Sequence, residues 1–527
     1  MAEDSKSFYT DSTAESRYNK LVSDRNTYKD RAVNNAKVTI PMLFPNDDST
    51  ATTKYETPYQ SIGARGVNNL ASKIMLAMFP PNEPFFRLDL GVAAKQQMNS
   101  SQQIGDTQKA QTQLNQLLQQ METDITDYME ANRCRITISE AVLQLIVAGN
   151  ALLYLPPKEG GIKLYRLNNY VVVRDGTGNW IEVIAKDSVS YAALPPEAQA
   201  CVDADTSPDK NVDVFTHVYL GDADTYYMYQ EVAGQTVNGS DQQFPKDKVP
   251  WIPLRLRKMD GESYGRSYVD EYYGDLKTLN SLDKAIAELS ALASFALFLV
   301  SPSSQLRIDK LKNAESGDFF KGKDGDITAF QLNKTQDMQV ALQQTQSIES
   351  RLSYAFLLNS AVQRDAERVT AEEIRYVANE LEDSIGNVYS LLSMELQLPL
   401  VRCVMAQMMA QGALVNIPQG ENGVQPKIVT GMEALGRGHD LTKIEQFIQI
   451  CSNIPDFQNR LKTGDVISQI ATAIGLNADS LVMSDDEYQA MMQQQQEAAL
   501  QQQVASPLVQ GAMNNQGAGN TSTPPQQ

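Results

Sequence analysis

Histidine, tryptophan and cysteine are scarce in this chain, at two, two and four residues in 527. With only His217 and His439, the HExxH pair of a zinc protease cannot be written, and a histidine-based metal site is not expected. The four cysteines, Cys134, Cys201, Cys403 and Cys451, lie far apart with no CxxC spacing. Neither a disulfide framework nor a zinc module follows, and reduced thiols in a cytosol are the plain reading. No GxxxxGK[ST] occurs, which excludes a P-loop motor as far as a motif can. DGTGN (175–179) and GRGHD (436–440) lack the third glycine of a dinucleotide fingerprint and read as turns. DADTSPDK and GDADTY lack the glycine and terminal glutamate of a calcium loop. No metal and no cofactor is expected.

Positive charge is short as well. The chain has 45 Lys and Arg against 64 Asp and Glu, a formal charge of −19. A general grip on nucleic acid needs clustered cations to neutralise phosphates, so that grip is not expected. A long apolar run is also missing. The best candidate, AIAELSALASFALFLV at 285–300, stops before Pro302 and carries Glu288. A spanning helix needs about 20 apolar residues, so this reads as a helix buried against protein, in a soluble chain that makes no membrane contact. The opening MAEDSKSFYT has no apolar stretch, and a secretory signal is not expected.

What is present is 42% hydrophobic content, enough for sizeable cores, in a length suited to about three domains or one large elaborated fold. Helical material comes first. Residues 13–37 place Tyr18, Leu21, Val22, Tyr28 and Ala32 at loosely helical spacing, and TIPMLFP breaks the run. In GARGVNNLASKIMLAMFP, Val67, Leu70, Ile74 and Met78 share one face before Pro80 and Pro81. A Gln-rich linker leads to a third helix near 111–131. Thr137 and Glu140 then form a capping box for a helix that Gly149 closes.

After Gly149 the period shortens. Residues 151–257 are a series of β-branched, aromatic, turn-bounded runs, with DGTGN as a hairpin loop, and read as a mainly antiparallel β region. His217 occupies a pleat position in VDVFTHVYL; His439 follows a Gly-rich turn, in position to cap a helix. From Arg266 helices dominate again. Tyr272, Leu276, Leu279, Ile286, Leu289, Ala293 and Ala296 make a seam for a second helix at 336–358, whose own stripe is Met338, Leu342, Ile348, Leu352 and Phe356. The loop-rich 302–335 lies between them, so the whole reads as a helical hairpin with a decorated tip. Beyond the polar segment 359–369, Thr370 and Glu373 cap a helix running to about Gln411, roughly 60 Å at 1.5 Å per residue. Pro399 inside it should kink or interrupt it. Residues 430–484 show helical periodicity. The Gln-, Ala-, Gly- and Pro-rich 485–527 cannot bury enough apolar surface to order itself.

Two stretches have chemical possibilities. GESYG (261–265) matches the GxSxG nucleophile elbow after a strand-like run and before a helix, with His439 downstream. That would make Ser263 the nucleophile of an α/β-hydrolase-like esterase. No HGGG-type oxyanion segment and no alternating strand–helix series accompanies it, so a Gly-flanked strand-to-helix turn is preferred and no catalytic residue is expected. The second stretch, 359–369, gathers Gln363, Arg364, Asp365, Glu367 and Arg368 between two long helices. It reads either as a solvated connection or as a loop projecting where something must be touched but not held.

Several phrases, in one order, resemble the portal or head-to-tail connector proteins of T7-like tailed bacteriophages: TPYQSIGARGVNNLASKIMLAMFP, VAGNALLYLP, KLYRLNNYVVVRD, DGESYGRSYVDEYYGDLKTLN, LNSAVQRDAERVTAEEIRYVANELED and SMELQLPLVR. The resemblance covers most of 15–450 and weakens near 95–110, in 195–212 and in the tail. It implies an α+β, mainly α portal fold assembled as a dodecameric ring at one capsid vertex of the virion, made in the bacterial host cytoplasm. It divides the chain into a wing (1–265), first stem helix (266–301), clip (302–335), second stem helix (336–358), tunnel loop (359–369), long kinked wing helix with its connection (370–429), crown (430–484) and low-complexity tail (485–527). Double-stranded DNA would pass through the channel for packaging, retention and ejection. The implied partners are the terminase, the tail adaptor, the major capsid and scaffolding proteins and the internal core proteins. The tunnel loop would touch DNA, with Arg364 and Arg368 facing phosphates, and GESYG would be the turn entering the first stem helix.

Overall fold

The structure, a computed structural model, describes residues 12–45, 49, 52–80, 85–91, 107–158, 160–203, 205–293, 297–302, 308–313, 315–319, 321, 323–330, 335–358, 388–414, 424–428, 449 and 467. The chain divides into two compact units, Met1–Gly431 and Met432–Gln527. Of the second, Gln449 and Ile467 are described, so the elements below belong to the first. The helices expected in 430–484 and the tail at 485–527 otherwise lie outside the described residues.

Helix α1, Ala14–Lys37, begins where Thr13 caps it: the threonine hydroxyl accepts from the Ser16 amide at 3.2 Å. Its first turns bury Ala14 and Tyr18 on a sheet, and its last turns bury Ala32 and Ala36 in the main core. Helix α2, Ile62–Met78, buries Val67, Leu70, Ile74 and Met78 as their spacing predicts. Helix α3, Thr107–Ala131, presents Leu118, Met121, Ile125 and Met129 to the same core. Helix α4 is Cys134–Ala148. The expected start at Thr137 is therefore wrong. Arg133 sits before the first turn at a left-handed φ of 54° with no side-chain cap. Burial of Cys134, Ile138, Ala141, Val142 and Leu145 decides where this helix starts, and the Thr137–Glu140 pair falls inside it. Its end is as expected. Gly149 has φ 76°, and a Cβ there would come within 2.6 Å of the Arg266 carbonyl carbon, so only glycine fits.

The β region follows. Strands β2 (Asn150–Tyr154), β3 (Lys163–Tyr165) and β10 (Trp251–Arg255) make one sheet, ordered β10-β2-β3. Strands β4 (Tyr170–Arg174), β5 (Trp180–Ser190), β6 (Asn211–Leu220), β7 (Thr225–Val232) and β8 (Gln235–Thr236) run in that order, with β9 (Gln242–Pro245) also on β7. Every ladder among the described residues is antiparallel. Strand alternation sends Val183 and Ala185 to the main core and Ile184 to α1, so both faces of β5 are covered. DGTGN is the β4–β5 turn, in which Asp175 accepts from Thr177 and Asn179. A further pair, β1 (Phe86–Leu90) and β13 (Val424–Ile428), joins distant parts of the chain.

Helix α5, Val269–Ala293, packs against α6, Thr335–Ala355. Leu276 and Leu279 are buried with Ile348 and Leu352, and Arg351 bonds Asp275 at 3.1 Å. The run at 285–300 departs from expectation. It is neither one helix nor buried: α5 stops at Ala293, and β11 (Leu297–Val300) pairs with β12 (Ile327–Phe330). Leu292, Phe298 and Leu299 are 54%, 64% and 58% exposed. A short apolar run does not by itself distinguish helix from strand, and here the ladder with β12 satisfies the backbone. Ala296 lies outside the described residues. Among them, no helix is long and apolar enough to cross a membrane.

The expected helix from Thr370 is described from 388 on. Helix α7 (Val388–Leu392) runs into a π-turn, Ser393–Gln397, and then α8 (Leu398–Ala410). The Leu398 amide bonds back to the Ser393 carbonyl, five residues away. Pro399 has no amide hydrogen and its ring crowds the preceding turn, so the widened turn just before it is the interruption its position predicts.

Candidate functional site

Gln363, Arg364, Asp365, Glu367 and Arg368 lie outside the described residues, as does His439. The described chain runs to Leu358 and resumes at Val388. α6 ends at Ala355, and the backbone then turns at Leu357, whose φ of 54° is left-handed. A leucine stays in that region only where its surroundings hold it. Tyr268 donates its hydroxyl to the Ala355 carbonyl at 2.8 Å. Asn69 donates its amide to the Phe356 and Leu357 carbonyls at 2.9 and 3.0 Å, and the Lys73 ammonium donates to Leu357 at 3.0 Å. Carbonyls at a helix end lack intrahelical partners and carry the negative end of the dipole, so a buried ammonium suits them. Asn69 and Lys73 are four residues apart and thus share a face of α2. One turn earlier, Gly66 makes room for Phe356; a Cβ there would come within 2.5 Å of its ring.

The π-turn after α7 meets the same helix. Gln397, in the π-turn, donates to the Met78 carbonyl at 2.6 Å, the last residue of α2. Two residues earlier, Glu395 accepts from Arg255 Nε at 3.0 Å and Nη2 at 2.9 Å. Arg255 and Arg174 both donate to the Gly178 carbonyl, which ties the π-turn to the β4–β5 hairpin. Burial pulls the Arg174 guanidinium down to about 10, against the pull of Glu395 and with the repulsion of Arg255. Nothing in the sequence pattern separated Asn69, Lys73 or Gln397 from ordinary helix-surface polar residues.

A second polar cluster docks α1 on the sheet. Arg17 grips Glu182 with two bonds, at 2.9 and 2.7 Å, and His217 Nε2 meets the same carboxylate at 3.0 Å. The other ring nitrogen of His217 lies 2.9 Å from the Tyr229 hydroxyl. Glu231 accepts the Ala14 amide at 2.6 Å and the Glu15 amide at 3.3 Å, where the helix dipole favours an anion. Burial opposes the Glu182 charge, but the bonds from His217 and Arg17 outweigh it and hold the carboxyl below the usual range. Beside the start of α5 a cleft of about 560 Å³ is lined by Arg31, Arg257 and Arg266 with Asp270 and Glu271. Two of its three arginines are paired, Arg257 with Glu271 and Arg266 with Glu262.

The chain matches the family described as bacteriophage head to tail connecting protein over residues 11–482. The chain belongs to that family. It is 42% identical to the portal protein of Escherichia phage T7 over 509 residues, 94% of this chain and 93% of that one. It is 43% identical to the portal protein of Enterobacteria phage T3 over 500 residues, 93% of this chain and 92% of that one. A solved chain from the virion of a native gene transfer agent particle aligns with 79% of this chain and 89% of its own length, at 11% identity and a TM-score of 0.33. The chain is thus a portal protein of the T7-like kind, a head-to-tail connector.

In this head-to-tail connector, GESYG has a structural role. The Ser263 hydroxyl accepts the Arg174 amide at 3.3 Å, and the Ser263 carbonyl accepts Arg174 Nε at 3.1 Å. Gly261 turns at φ 76°, and a Cβ on Gly265 would come within 2.6 Å of Arg255 and 2.8 Å of the Gly149 carbonyl. The glycines serve a turn and a close approach. The antiparallel sheets around them are not the alternating strand–helix layout on which a nucleophile elbow sits. Cys134 and Cys403 are buried, which pushes their thiols up to about 11 and about 12. Among the described residues, no three His, Cys, Asp or Glu side chains converge as metal ligands.

Proposed function

We propose that twelve copies of this chain form a ring at one capsid vertex through which double-stranded DNA is packaged, retained and ejected. In this reading 1–265 and 370–429 belong to the wing, 266–301 and 336–358 to the stem, 302–335 to the clip and 430–484 to the crown. The observation that carries it is the match to the T7 and T3 portal proteins over more than nine-tenths of the chain, which runs through 359–369. The terminase docks first and the tail adaptor afterwards, with capsid, scaffolding and internal core proteins as further neighbours.

The charge suits a conduit. Each phosphate neutralised by a wall cation adds affinity through counterion release, so a channel that passes DNA works better with an acidic wall. Helix α5 carries Asp270, Glu271, Asp275, Asp283 and Glu288 against Lys277 and Lys284. Arg364 and Arg368 then supply a local positive contact that brakes the duplex. Negative-stain images of the purified protein should show rings with a central hole. Arg364→Gln combined with Arg368→Gln should leave the rings intact and impair retention of packaged DNA; unchanged retention would remove the brake assignment.

A further inference from the structure

We propose that the cleft at the start of α5 binds a small oxyanion of the phosphate class, with Arg31, Arg257 and Arg266 as its donors. The backbone builds the site first. Arg257 and Arg266 face each other across a β-bridge, in which the Arg266 amide donates to the Arg257 carbonyl at 3.1 Å. The GESYG turn lies in the loop between them, so it brings two guanidiniums to neighbouring positions. Asn35 of α1 donates to the Asp270 carboxylate at 2.7 Å and to the Ser267 hydroxyl at 2.9 Å. Arg31 lies four residues earlier, on the same face of α1. Each guanidinium also lies over an aromatic ring, Arg31 and Arg266 over Tyr28 at 5.4 and 5.7 Å, and Arg257 over Tyr268 at 5.7 Å. Stacking on a ring face orients a guanidinium without consuming its N–H donors.

The partners already made select an anion. Both carboxylates of the cleft are committed, Asp270 to Asn35 and the Ser267 amide, and Glu271 to Arg257. Glu262 bonds Arg266 and Tyr28, and Arg31 acts on it only as a nearby charge. Arg31 Nη1 is shut off from solvent with no acceptor among the described residues, and so is Arg257 Nε. A buried donor on a charged group is costly when it stays unbonded, and an oxyanion satisfies more than one at once. A metal ion or an ammonium would meet three guanidiniums and no uncommitted carboxylate. The volume of about 560 Å³ admits phosphate or a small phosphate ester.

The test uses the full-length protein and inorganic phosphate. Against sodium chloride at equal ionic strength, phosphate should raise the melting temperature of the parent in a saturable way, as a ligand of the folded state does. Arg31→Met keeps the stem and removes the donors; it should weaken phosphate binding in calorimetry about tenfold or more, the factor for one charge-assisted hydrogen bond. Its melting temperature without phosphate should stay near that of the parent, because an unsatisfied donor has gone. Arg31→Lys, with the charge but not the fork, should bind with intermediate strength. Lys186→Met removes a cation that pairs with Asp213 elsewhere on the sheet, and should bind as the parent does. Equal stabilisation of the parent and Arg31→Met by phosphate would overturn the site, and so would an equal loss of binding in Lys186→Met. Acetate bound as tightly as phosphate would overturn the phosphate class. A short DNA duplex then names the carrier, and either result keeps the site. Displacement of phosphate by the duplex assigns it to backbone phosphates, and no displacement assigns it to free phosphate or a small ester.

Discussion

The two ends of the α5–α6 hairpin carry the same kind of apolar pattern and meet opposite fates. At the base, Leu276 and Leu279 are closed over by Ile348, Leu352 and Phe356, and Tyr268 stacks edge-on against Phe356 at 5.7 Å. Toward the tip, Leu292, Phe298, Leu299, Val340 and Leu342 stand exposed on the single chain. Helical and strand periodicity mark surface that gains by leaving water; they do not say whose surface covers it. The base is covered by α2 and the core of its own subunit. Exposed large apolar side chains of this kind are candidates for a contact surface, and in the ring proposed above a neighbouring copy would cover them.

The contrast can be broken by mutation, and the largest effect belongs to the base. Leu352→Ala should cost about 2–5 kcal/mol, the range for a fully buried leucine, read as a loss of melting temperature and urea midpoint. A cost near zero would show that the base is not closed. Next comes the body's polar closure. Glu182→Gln leaves Arg17 and His217 without their carboxylate and should cost roughly 3 kcal/mol at neutral pH. The depressed Glu182 carboxyl contributes stability that is fully present above the ordinary glutamate value of 4.5 and is lost as pH falls through its lower folded value. Acidification from pH 6 to about 3 should therefore lower the melting temperature of the parent more than that of Glu182→Gln; equal losses would show that Glu182 is not the group responsible.

Smaller again is Gly149→Ala, which forces alanine to φ 76° against the Arg266 backbone and should cost about 1–3 kcal/mol by thermal melting. The smallest effect on subunit stability belongs to the tip. Phe298→Ser with Leu299→Ser should shift unfolding by no more than about 0.5 kcal/mol. The same pair should reduce the ring fraction in sedimentation velocity. A large loss of subunit stability with rings intact would reverse the comparison.

Much of the local structure was legible because it depends on neighbours in the chain. Gly149 closes α4, DGTGN turns the β4–β5 hairpin, and Pro399 follows an interrupted helix. Each is a short-range steric or hydrogen-bonding requirement. The errors arose where packing overrode such signals. The Thr137–Glu140 box was sound in itself, but a helix buried on most sides begins where its apolar residues find cover, at Cys134. The 285–300 run holds part of α5 and the strand β11 because β12, nearly thirty residues further on, offered a ladder. The candidate site divides in the same way. The arginines of 359–369 could be named from the resemblance, whereas Asn69, Lys73 and Gln397 could not, since their partners lie 284 to 319 residues away.

The chain's composition and order show no P-loop motif and only two histidines, place helices and strands in sequence, and indicate a portal family. Those conclusions follow from residue type and short-range spacing, which the chain carries in every conformation. Folding alone settled which carbonyls Asn69 and Lys73 would hold, that Glu182 would be shared by Arg17 and His217, and that Leu292, Phe298 and Leu299 would remain exposed. Such assignments depend on long-range proximity, and a buried charge or an exposed leucine acquires its meaning only from what stands opposite it.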